Sequence, residues 1–195
     1  VELGAGDGLK TRVLIQYLYS HQVPFNYYPI DISGSVLREL KESLHIEFPD
    51  LPVHGVENTY LKALKEKKWD HDFPTLMIFL GSNIGNFLEP EVKELMASLA
   101  EALDHQEMLL IGFDLKKDPD LILQAYNDSQ GVTRDFNLNV LSRINRELGG
   151  NFNPSKFRHW PVYDPANGEC RSYLVSMERQ AVSIAGLNME VTFEK

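Results

Sequence analysis

The sequence predicts an α/β fold with a mostly parallel sheet and helices on both faces of that sheet. Three observations support this fold class. A glycine-rich segment follows a short apolar stretch at the very start of the chain. Segments typical of strands and helices then alternate every ~25 residues as far as Asp114, which is the pattern of βαβ units. Beyond Asp114 this alternation stops, and two helices followed by antiparallel strands are predicted instead.

The first strand, residues 1–3, leads directly into glycines at positions 4, 6 and 8. Glycines at alternate positions let the backbone turn sharply and approach a ligand without a Cβ clash. The helix predicted over residues 9–20 adds unpaired backbone amides at its first turn. This segment is therefore predicted to be a nucleotide-type binding loop, although a glycine-rich turn without a ligand remains an alternative. Apolar spacing places one group of side chains on the buried face of this helix, namely Leu9, Val13, Leu14, Tyr17 and Leu18.

The elements up to Asp114 follow from apolar periodicity and from runs of β-forming residues. Strands are predicted at residues 25–32, 53–56, 75–80 and 108–113, and the intervening helices at residues 35–48, 61–68 and 89–104. The run at 75–80 is continuously apolar, which is typical of a central parallel strand covered on both faces. Pro29 argues against a central position for the second strand because it cannot donate to the ladder.

The second part of the chain is predicted to form a cap and a set of antiparallel strands. Helices are expected at residues 118–128 and 134–148, and strands at residues 158–163, 170–179, 182–184 and 189–193. We therefore divide the chain into a nucleoside-binding core at 1–115, a helical cap at 116–160, and C-terminal strands at 161–195. The last segment is expected to complete the edge of the sheet and the substrate pocket.

Composition favours a protein that handles small molecules. The formal charge of −9 and the pI near 5.1 argue against a nucleic-acid-binding surface. A single cysteine excludes an internal disulfide, and six scattered histidines give no metal-ligand spacing. No apolar run approaches the length of a membrane span, so we expect a cytoplasmic protein without a membrane partner. We also expect a monomer. The chain has no initiating Met, and we expect the natural protein to extend before Val1.

Asp31 lies at the end of the predicted second strand, 23 residues after Gly8. An acid at this place in such folds accepts hydrogen bonds from ribose hydroxyls, which predicts a nucleoside-containing ligand. Taken alone, Asp31 is equally consistent with a helix cap or a surface carboxylate. Two kinds of ligand then compete. The Gly-x-Gly-x-Gly spacing departs from the Gly-x-Gly-x-x-Gly of dinucleotide-binding proteins and favours S-adenosylmethionine over NAD, and Lys10 is placed to bind the carboxylate of the methyl donor.

Two further polar segments are candidates for substrate binding. Residues 79–87 follow the buried strand and carry Asn86, which can orient an amine or a carboxylate without adding charge. Residues 125–133 join the two cap helices and carry Tyr126, whose hydroxyl is a candidate partner for a substrate carboxylate. The alternatives are that the asparagines of the first segment only satisfy turn amides, and that Tyr126 packs between the helices.

Several motifs together resemble the histidine-specific S-adenosylmethionine-dependent methyltransferases, a family that includes the ergothioneine-pathway enzyme acting on the α-amino group of histidine. They cover nearly the whole chain and read, in order, ELGAGDGLKTR, PIDIS, FLGSNIGNF, DLKKDP, AYND with GVT and FN, and RINRELGGNF. The resemblance implies a class I methyltransferase fold of the Rossmann-like type. It also implies cofactor contacts at Gly4, Gly6, Lys10, Asp31 and Gly81, and substrate contacts at Asn86 and Tyr126.

The chain departs from the family pattern at two places. Thr59 and Tyr60 stand where the family often has an Asp-Phe pair for the adenine, so Thr59 lacks the carboxylate acceptor. Arg171 and Tyr173 align with an acid and a serine that face the imidazole in the histidine enzyme. Because an arginine cannot accept an imidazole N–H, the sequence predicts as substrate either a histidine-like amino acid or a related amine.

The implied reaction is the in-line transfer of a sulfonium methyl group to a neutral amine, without a metal. Alignment of the two reactants is the main contribution expected from the protein, and no general base stands out in the sequence. Two alternatives remain at this stage. One is a homologue that binds the cofactor but has weak or no activity, and the other is a nicotinamide-dependent oxidoreductase.

Overall fold

The computed structural model describes residues 1–70 and 73–195 of the chain. His71, one of the six histidines in the sequence, lies outside the described residues. The chain divides into two compact units, Val1–Asp114 and Leu115–Lys195. The predicted cap helices and the predicted C-terminal strands belong to the same unit. The expectation that the C-terminal strands complete the edge of the parallel sheet concerns both units and stays a prediction.

The first unit contains five parallel strands and four helices. The strands are β1 (Glu2–Leu3), β2 (Pro29–Asp31), β3 (Val56–Glu57), β4 (Leu76–Phe79) and β5 (Met108–Ile111). The helices are α1 (Thr11–Ser20), α2 (Gly34–Glu47), α3 (Tyr60–Glu66) and α4 (Glu89–Ala102). The strand order is β3-β2-β1-β4-β5, and every pairing in it is parallel. The α/β fold class with a mostly parallel sheet is therefore confirmed.

Helices cover both faces of this sheet because strand side chains alternate between the faces. One apolar cluster joins Leu3, Ile30, Met77 and Phe79 of the strands to α3 and α4. A second cluster joins α1 and α2 to the opposite face, and its members include Ile15, Leu40 and Leu44. Each cluster buries its side chains almost completely: Leu3, Ile30 and Leu44 have no exposed surface.

Three predicted details are wrong. The third strand lies at Val56–Glu57 rather than at 53–56, and Val53 forms only an isolated bridge with Tyr27. Pro29 does occupy an interior strand, which is possible because it is the first residue of β2 and need not donate there.

The third error concerns the buried face of α1. Val13 and Tyr17 are 75% and 59% exposed, and Leu9, which precedes the helix, is also exposed. Thr11 and Ile15 are the side chains that this helix buries. Leu14 and Leu18 are half-buried.

The second unit contains α5 (Pro119–Tyr126), α6 (Val132–Leu148) and two antiparallel hairpins. The first hairpin joins β6 (Phe157–Asp164) to β7 (Glu169–Ser176), and the second joins β8 (Gln180–Ile184) to β9 (Met189–Phe193). Asp118 accepts a hydrogen bond from the Asp120 amide at the start of α5, and Gly149 ends α6 in the left-handed region at φ +64°. The apolar core consists of Leu141, Phe152, Phe157, Val182 and Ile184.

Candidate functional site

The candidate site of the first unit lies at the carboxyl edge of its sheet, where β1 and β4 are neighbours. Glu2 pairs with Ile78, so the loops that follow Leu3 and Phe79 leave the sheet side by side. The strand order reverses at this point, because β2 and β3 extend the sheet on one side of β1 while β4 and β5 extend it on the other. Ligands of open α/β sheets bind at such a reversal, outside the carboxyl ends of the strands.

Gly4 begins the glycine-rich loop in a conformation that suits only glycine in these surroundings. Its φ is +69°, in the left-handed region. A Cβ built on Gly4 would collide with the hydroxyl of Tyr60 and would lie 3.0 Å from Nδ2 of Asn83. The absence of a side chain therefore lets two polar groups from other elements come close to the loop backbone.

Asp31, at the end of β2, is held by two backbone amides. Its Oδ2 accepts a hydrogen bond from the Gly6 N–H at 3.3 Å, and its Oδ1 accepts one from the Ser33 N–H at 3.0 Å. The Gly6 amide is thus used to orient the acid, and Ser33, not Asp31, is the cap of α2. Because each carboxylate oxygen has a second lone pair, Asp31 can still accept from two hydroxyl groups of a ligand.

A cavity of about 510 Å³ opens beside Asp31. The side chain of Tyr60 contacts Phe79 in an edge-on arrangement and Phe87 in a tilted one, with ring centroids 5.4 and 6.0 Å apart. Burial, and secondarily the charge of Asp31, raises the pKa of Tyr60, so its hydroxyl keeps its proton. The other lining residues are Ile32, Thr59, Leu61, Glu91, Glu94 and Leu95. Aromatic and aliphatic walls together with three acids, Asp31, Glu91 and Glu94, suit a nucleoside, whose hydroxyl and amino groups donate to carboxylates.

Lys10 follows the glycine-rich loop in the chain and directly precedes α1. A Cβ built on Gly81, where φ is +80°, would lie 2.9 Å from Nζ of Lys10. The ammonium group is therefore close to the backbone that follows β4. Within residues 1–70 and 73–195, Lys10 forms no ion pair, so its charge is available to an anionic group.

The predicted substrate residues are distributed over both units. Asn86 ends a short 3-10 turn, Asn83–Asn86, in the first unit, and its side chain is exposed. Tyr126 is the last residue of α5 in the second unit and is 42% exposed, so it does not pack as a core tyrosine between the cap helices.

Arg171 and Tyr173 lie together on β7. Nε of Arg171 donates to Oε1 of Glu169 at 2.6 Å, and Nη1 donates to the Tyr173 hydroxyl at 3.4 Å. The bond to Glu169 is the main cause that raises the pKa of Arg171. On the neighbouring strand, Trp160 pairs with Tyr173 and carries the guanidinium of Arg158 at 4.7 Å from its ring centroid. This face of the hairpin presents two aromatic rings and two arginines, one of which is paired with Glu169.

Two polar residues of the site were not assigned from the sequence. Asn83 lies within the polar segment 79–87, but its approach to Gly4 depends on the β1–β4 pairing. Glu94 is the second of these residues. It brings a carboxylate to the cavity, in which Thr59 stands where the family often has an acid. The four-residue helical spacing that places Leu95 in the core also places Glu94 beside it, but nothing in that spacing identifies a ligand.

A larger cavity, of about 760 Å³, lies at the amino ends of the strands. Its walls are mainly apolar and aromatic and include Leu14, Phe25, Pro52, Trp69 and Leu76. It has neither the glycine-rich loop nor Asp31, so it is not the candidate nucleoside site.

Among the described residues, the structure shows no cluster of three or more His, Cys, Asp or Glu side chains arranged to hold a metal ion. No helix in the described ranges has the length and apolarity to cross a membrane.

Comparisons with known proteins agree with this geometry. The chain is 34% identical to histidine N-alpha-methyltransferase of Mycolicibacterium smegmatis over 99% of its own length and 60% of that protein. It is 32% identical to the enzyme of the same name from Mycobacterium tuberculosis, over 100% of this chain and 60% of that one. Ergothioneine biosynthesis protein 1 of Schizosaccharomyces pombe is 27% identical over 89% of this chain and 23% of that protein.

The chain thus spans about 60% of the length of the histidine N-alpha-methyltransferases that it matches. A family model described as histidine-specific, S-adenosylmethionine-dependent methyltransferase matches residues 1–195, the whole chain. The nicotinamide-dependent alternative loses its support, as the glycine spacing already suggested. The chain belongs to the histidine-specific, S-adenosylmethionine-dependent methyltransferase family.

Proposed function

We propose that the protein transfers a methyl group from S-adenosylmethionine to the α-amino group of an amino acid, histidine or a related amine. The observation that carries this proposal is the position of Asp31, whose carboxylate is fixed by the Gly6 and Ser33 amides beside an apolar cavity. Family membership and the names of the relatives support the same activity.

The residues of the first unit fit the three parts of the cofactor. Asp31 accepts from the two ribose hydroxyls, and the cavity lined by Thr59 and Tyr60 accommodates the adenine. Lys10 binds the carboxylate of the amino-acid part. Gly4 and Gly81 leave room for the side chains around this part, because a Cβ on Gly4 would meet Tyr60 and a Cβ on Gly81 would meet Lys10. When bound, the cofactor supplies an electrophilic methyl group on a sulfonium sulfur.

The proposed role of the chain in the reaction is alignment. The amine nitrogen forms a bond to the methyl carbon while the carbon–sulfur bond breaks, and the nitrogen must arrive with its lone pair free. Holding the two reactants in line supplies a large part of the rate enhancement in reactions of this type. We assign Asn86 and Tyr126 to the amino and carboxylate groups of the substrate, as the resemblance implies, and no general base is assigned.

The side chain of the substrate is proposed to contact Arg171 and Tyr173. Both present hydrogen-bond donors on the same strand, and the guanidinium has no acceptor for an imidazole N–H. A substrate side chain that accepts hydrogen bonds or stacks on aromatic rings therefore fits this strand, and an imidazole does so only through its unprotonated nitrogen or its ring face.

Isothermal titration with S-adenosylhomocysteine, alone and then with histidine and a panel of other amino acids and amines, tests the proposal. We expect micromolar binding of the cofactor product that becomes tighter with one member of the panel. Methyl transfer to that compound, followed by mass spectrometry, would complete the assignment. A folded protein that does not bind S-adenosylhomocysteine would contradict it.

A second candidate function is a cofactor-binding homologue with weak or no activity. The observation in its favour is that Arg171 is engaged by Glu169 and Tyr173, in the place where the histidine enzymes have an acid. This candidate predicts binding of S-adenosylhomocysteine without methyl transfer to any amine of the panel.

The proposal extends to the setting in which the protein acts. We propose a monomer in the cytoplasm that takes a small-molecule substrate. The acidic composition supports the absence of a nucleic-acid partner. Light scattering coupled to size-exclusion chromatography tests the monomeric state, and a dimer mass would contradict it.

A further inference from the structure

Asn83 brings a polar side chain to the junction of the two loops that form the cofactor site. It is the first residue of the 3-10 turn Asn83–Asn86, four residues after the end of β4. Its Nδ2 lies 3.0 Å from the position of a Cβ on Gly4 and 3.8 Å from that of a Cβ on Gly81. The amide therefore lies beside both glycines, whose positive φ values are +69° and +80°.

This amide is half-buried and has no hydrogen-bond partner within residues 1–70 and 73–195. A carboxamide has two donors and an acceptor, and a half-buried one that binds no protein group is open to water, which a ligand can displace. Since the turn around it is already closed by the Gly85 amide, which donates to Ser82 at 2.9 Å, Asn83 is not needed to satisfy turn amides. The side chain is thus available to a ligand.

Lys10 approaches the same place from the other loop. Its Nζ and the Nδ2 of Asn83 both lie within 4 Å of the Cβ position on Gly81. Two acids of the first unit that border the glycine-rich loop, Asp31 and Glu2, are already engaged. Asp31 accepts from two amides, and Glu2, which is 4% exposed, accepts from the Thr11 and Tyr27 hydroxyls. A cation and a neutral donor therefore converge with no acceptor assigned to them.

We propose that Asn83 is a second binding residue for the amino-acid end of the cofactor, with its amide N–H donating to the carboxylate that Lys10 binds. The proposal rests on the proposed function and deepens it. Lys10 supplies the charge and Asn83 supplies direction, because an ammonium group is a freely rotating point charge whereas a planar amide donates along a fixed axis. Together they would hold the methionine chain, and with it the sulfur, in one orientation.

The test compares two ligands that share the adenosine and the sulfur but differ in the amino-acid end. S-adenosylhomocysteine carries the carboxylate, and 5′-methylthioadenosine lacks it. Isothermal titration of both ligands is carried out on the wild-type chain, Asn83→Ala and Asn83→Asp. Asn26→Ala serves as the matched control, because Asn26 is an exposed asparagine that precedes β2 at the opposite edge of the sheet.

We expect Asn83→Ala to weaken S-adenosylhomocysteine binding by about 10- to 100-fold, the range for a hydrogen bond to a charged group. Asn83→Asp should weaken it further, because it keeps the shape of the side chain and places a negative charge near the ligand carboxylate. The affinity for 5′-methylthioadenosine should change by less than about threefold in both variants, and Asn26→Ala should match the wild type for both ligands.

Two results would overturn the proposal. Equal losses for the two ligands would show that Asn83 only shapes the turn beside Gly4. Unchanged affinity for S-adenosylhomocysteine in both Asn83 variants would show that the amide does not touch the ligand. Either result leaves the proposed function standing if the wild type binds S-adenosylhomocysteine, whereas failure of the wild type to bind it refutes both. Circular dichroism of each variant, with the near-isosteric Asn83→Asp as the second variant, separates loss of folding from loss of binding.

Discussion

The hydroxyl of Thr11 donates a hydrogen bond of 2.5 Å to the buried carboxyl group of Glu2. Glu2 lies in β1 and Thr11 is the first residue of α1, so this bond joins the two ends of the glycine-rich loop. The Tyr27 hydroxyl donates to the other oxygen of the same carboxyl group. The loop that carries Gly4 and Lys10 is thus anchored at both ends by one acid.

The first prediction concerns the pH dependence of this anchor. Burial is the largest effect on Glu2 and raises the pKa of its carboxyl above the ordinary 4.5, although the two hydroxyl donors oppose the rise. As the pH rises above 4.5, the unfolded chain releases this proton first, so the contribution of Glu2 to the free energy of unfolding falls. Glu2→Gln does not titrate. Urea unfolding should therefore show the wild type losing stability relative to Glu2→Gln from about pH 4.5 towards neutrality.

The control for this prediction is Glu101→Gln, which changes an exposed glutamate on α4. It should leave the slope of stability against pH close to that of the wild type. If the difference between the wild type and Glu2→Gln stays constant over the pH range, the pKa of Glu2 is not raised and the argument fails.

The second prediction separates ligand binding from stability at the end of β2. Asp31→Asn keeps an oxygen that can accept from one amide but removes the charge, so we expect affinity for S-adenosylhomocysteine to fall by about 10- to 100-fold. Ser33→Ala removes the side-chain cap of α2, in which Ser33 Oγ accepts from the Val36 amide at 3.4 Å. It should cost about 1 kcal/mol of stability and leave affinity nearly unchanged, because the Ser33 backbone amide still donates to Asp31.

Calorimetric titration and urea unfolding of the two variants check this pair. We expect Asp31→Asn to lose affinity for S-adenosylhomocysteine and Ser33→Ala to lose stability. A large loss of affinity in Ser33→Ala would mean that the cap, and not the carboxylate, controls the site.

The third prediction concerns Gly81. Alanine there would place a Cβ 2.9 Å from Nζ of Lys10 in a left-handed backbone conformation, which costs about 1–2 kcal/mol for a residue with a side chain. We expect Gly81→Ala to lower both stability and affinity for S-adenosylhomocysteine, the affinity by about tenfold because the ammonium is displaced. Gly85→Ala is the matched control in the same loop, since its Cβ would meet nothing within 4 Å. If both variants bind like the wild type, Lys10 does not depend on the space at Gly81.

The sequence predicts those parts of the fold that depend on local patterns. The continuous apolar run at residues 75–80 predicts a buried strand, and β4 lies there at Leu76–Phe79. The buried face of α1 is not predictable in this way. Its apolar spacing favours Val13 and Tyr17, but the hydrogen bond from Thr11 to Glu2 turns a different face to the sheet. A hydrogen bond between a buried acid and a threonine nine residues away leaves no apolar periodicity in the sequence.

The same distinction applies to the site. Gly4, Lys10 and Asp31 are visible in the sequence because each follows a strand or begins a helix at a characteristic spacing. Asn83 becomes visible only when β1 and β4 are paired, since its distance to Gly4 joins segments 79 residues apart in the chain. Long-range pairing of strands is what the sequence pattern alone does not specify.

The last prediction concerns the choice of substrate. Arg171 and Tyr173 stand where the resemblance places an acid and a serine facing the imidazole, and Arg171 is held in place by Glu169. The double variant Arg171→Glu, Tyr173→Ser restores an acceptor for the imidazole N–H. Because a site built to pair with a substrate N–H discriminates strongly against substrates that lack it, we expect kcat/KM for histidine, relative to the preferred wild-type substrate, to rise by at least about tenfold.

Initial rates of methyl transfer to histidine and to the preferred substrate, measured in parallel, check this expectation. Affinity for S-adenosylhomocysteine is the internal control. It should not change, because neither substituted residue lies in the first unit, to which the proposed cofactor residues belong. A wild type that already prefers histidine, and a double variant that loses this preference, would show that Arg171 and Tyr173 accommodate the imidazole in another way. In that case the aromatic face formed by Trp160 and Tyr173 would itself be the recognition element for histidine, through stacking on the rings rather than through an acceptor.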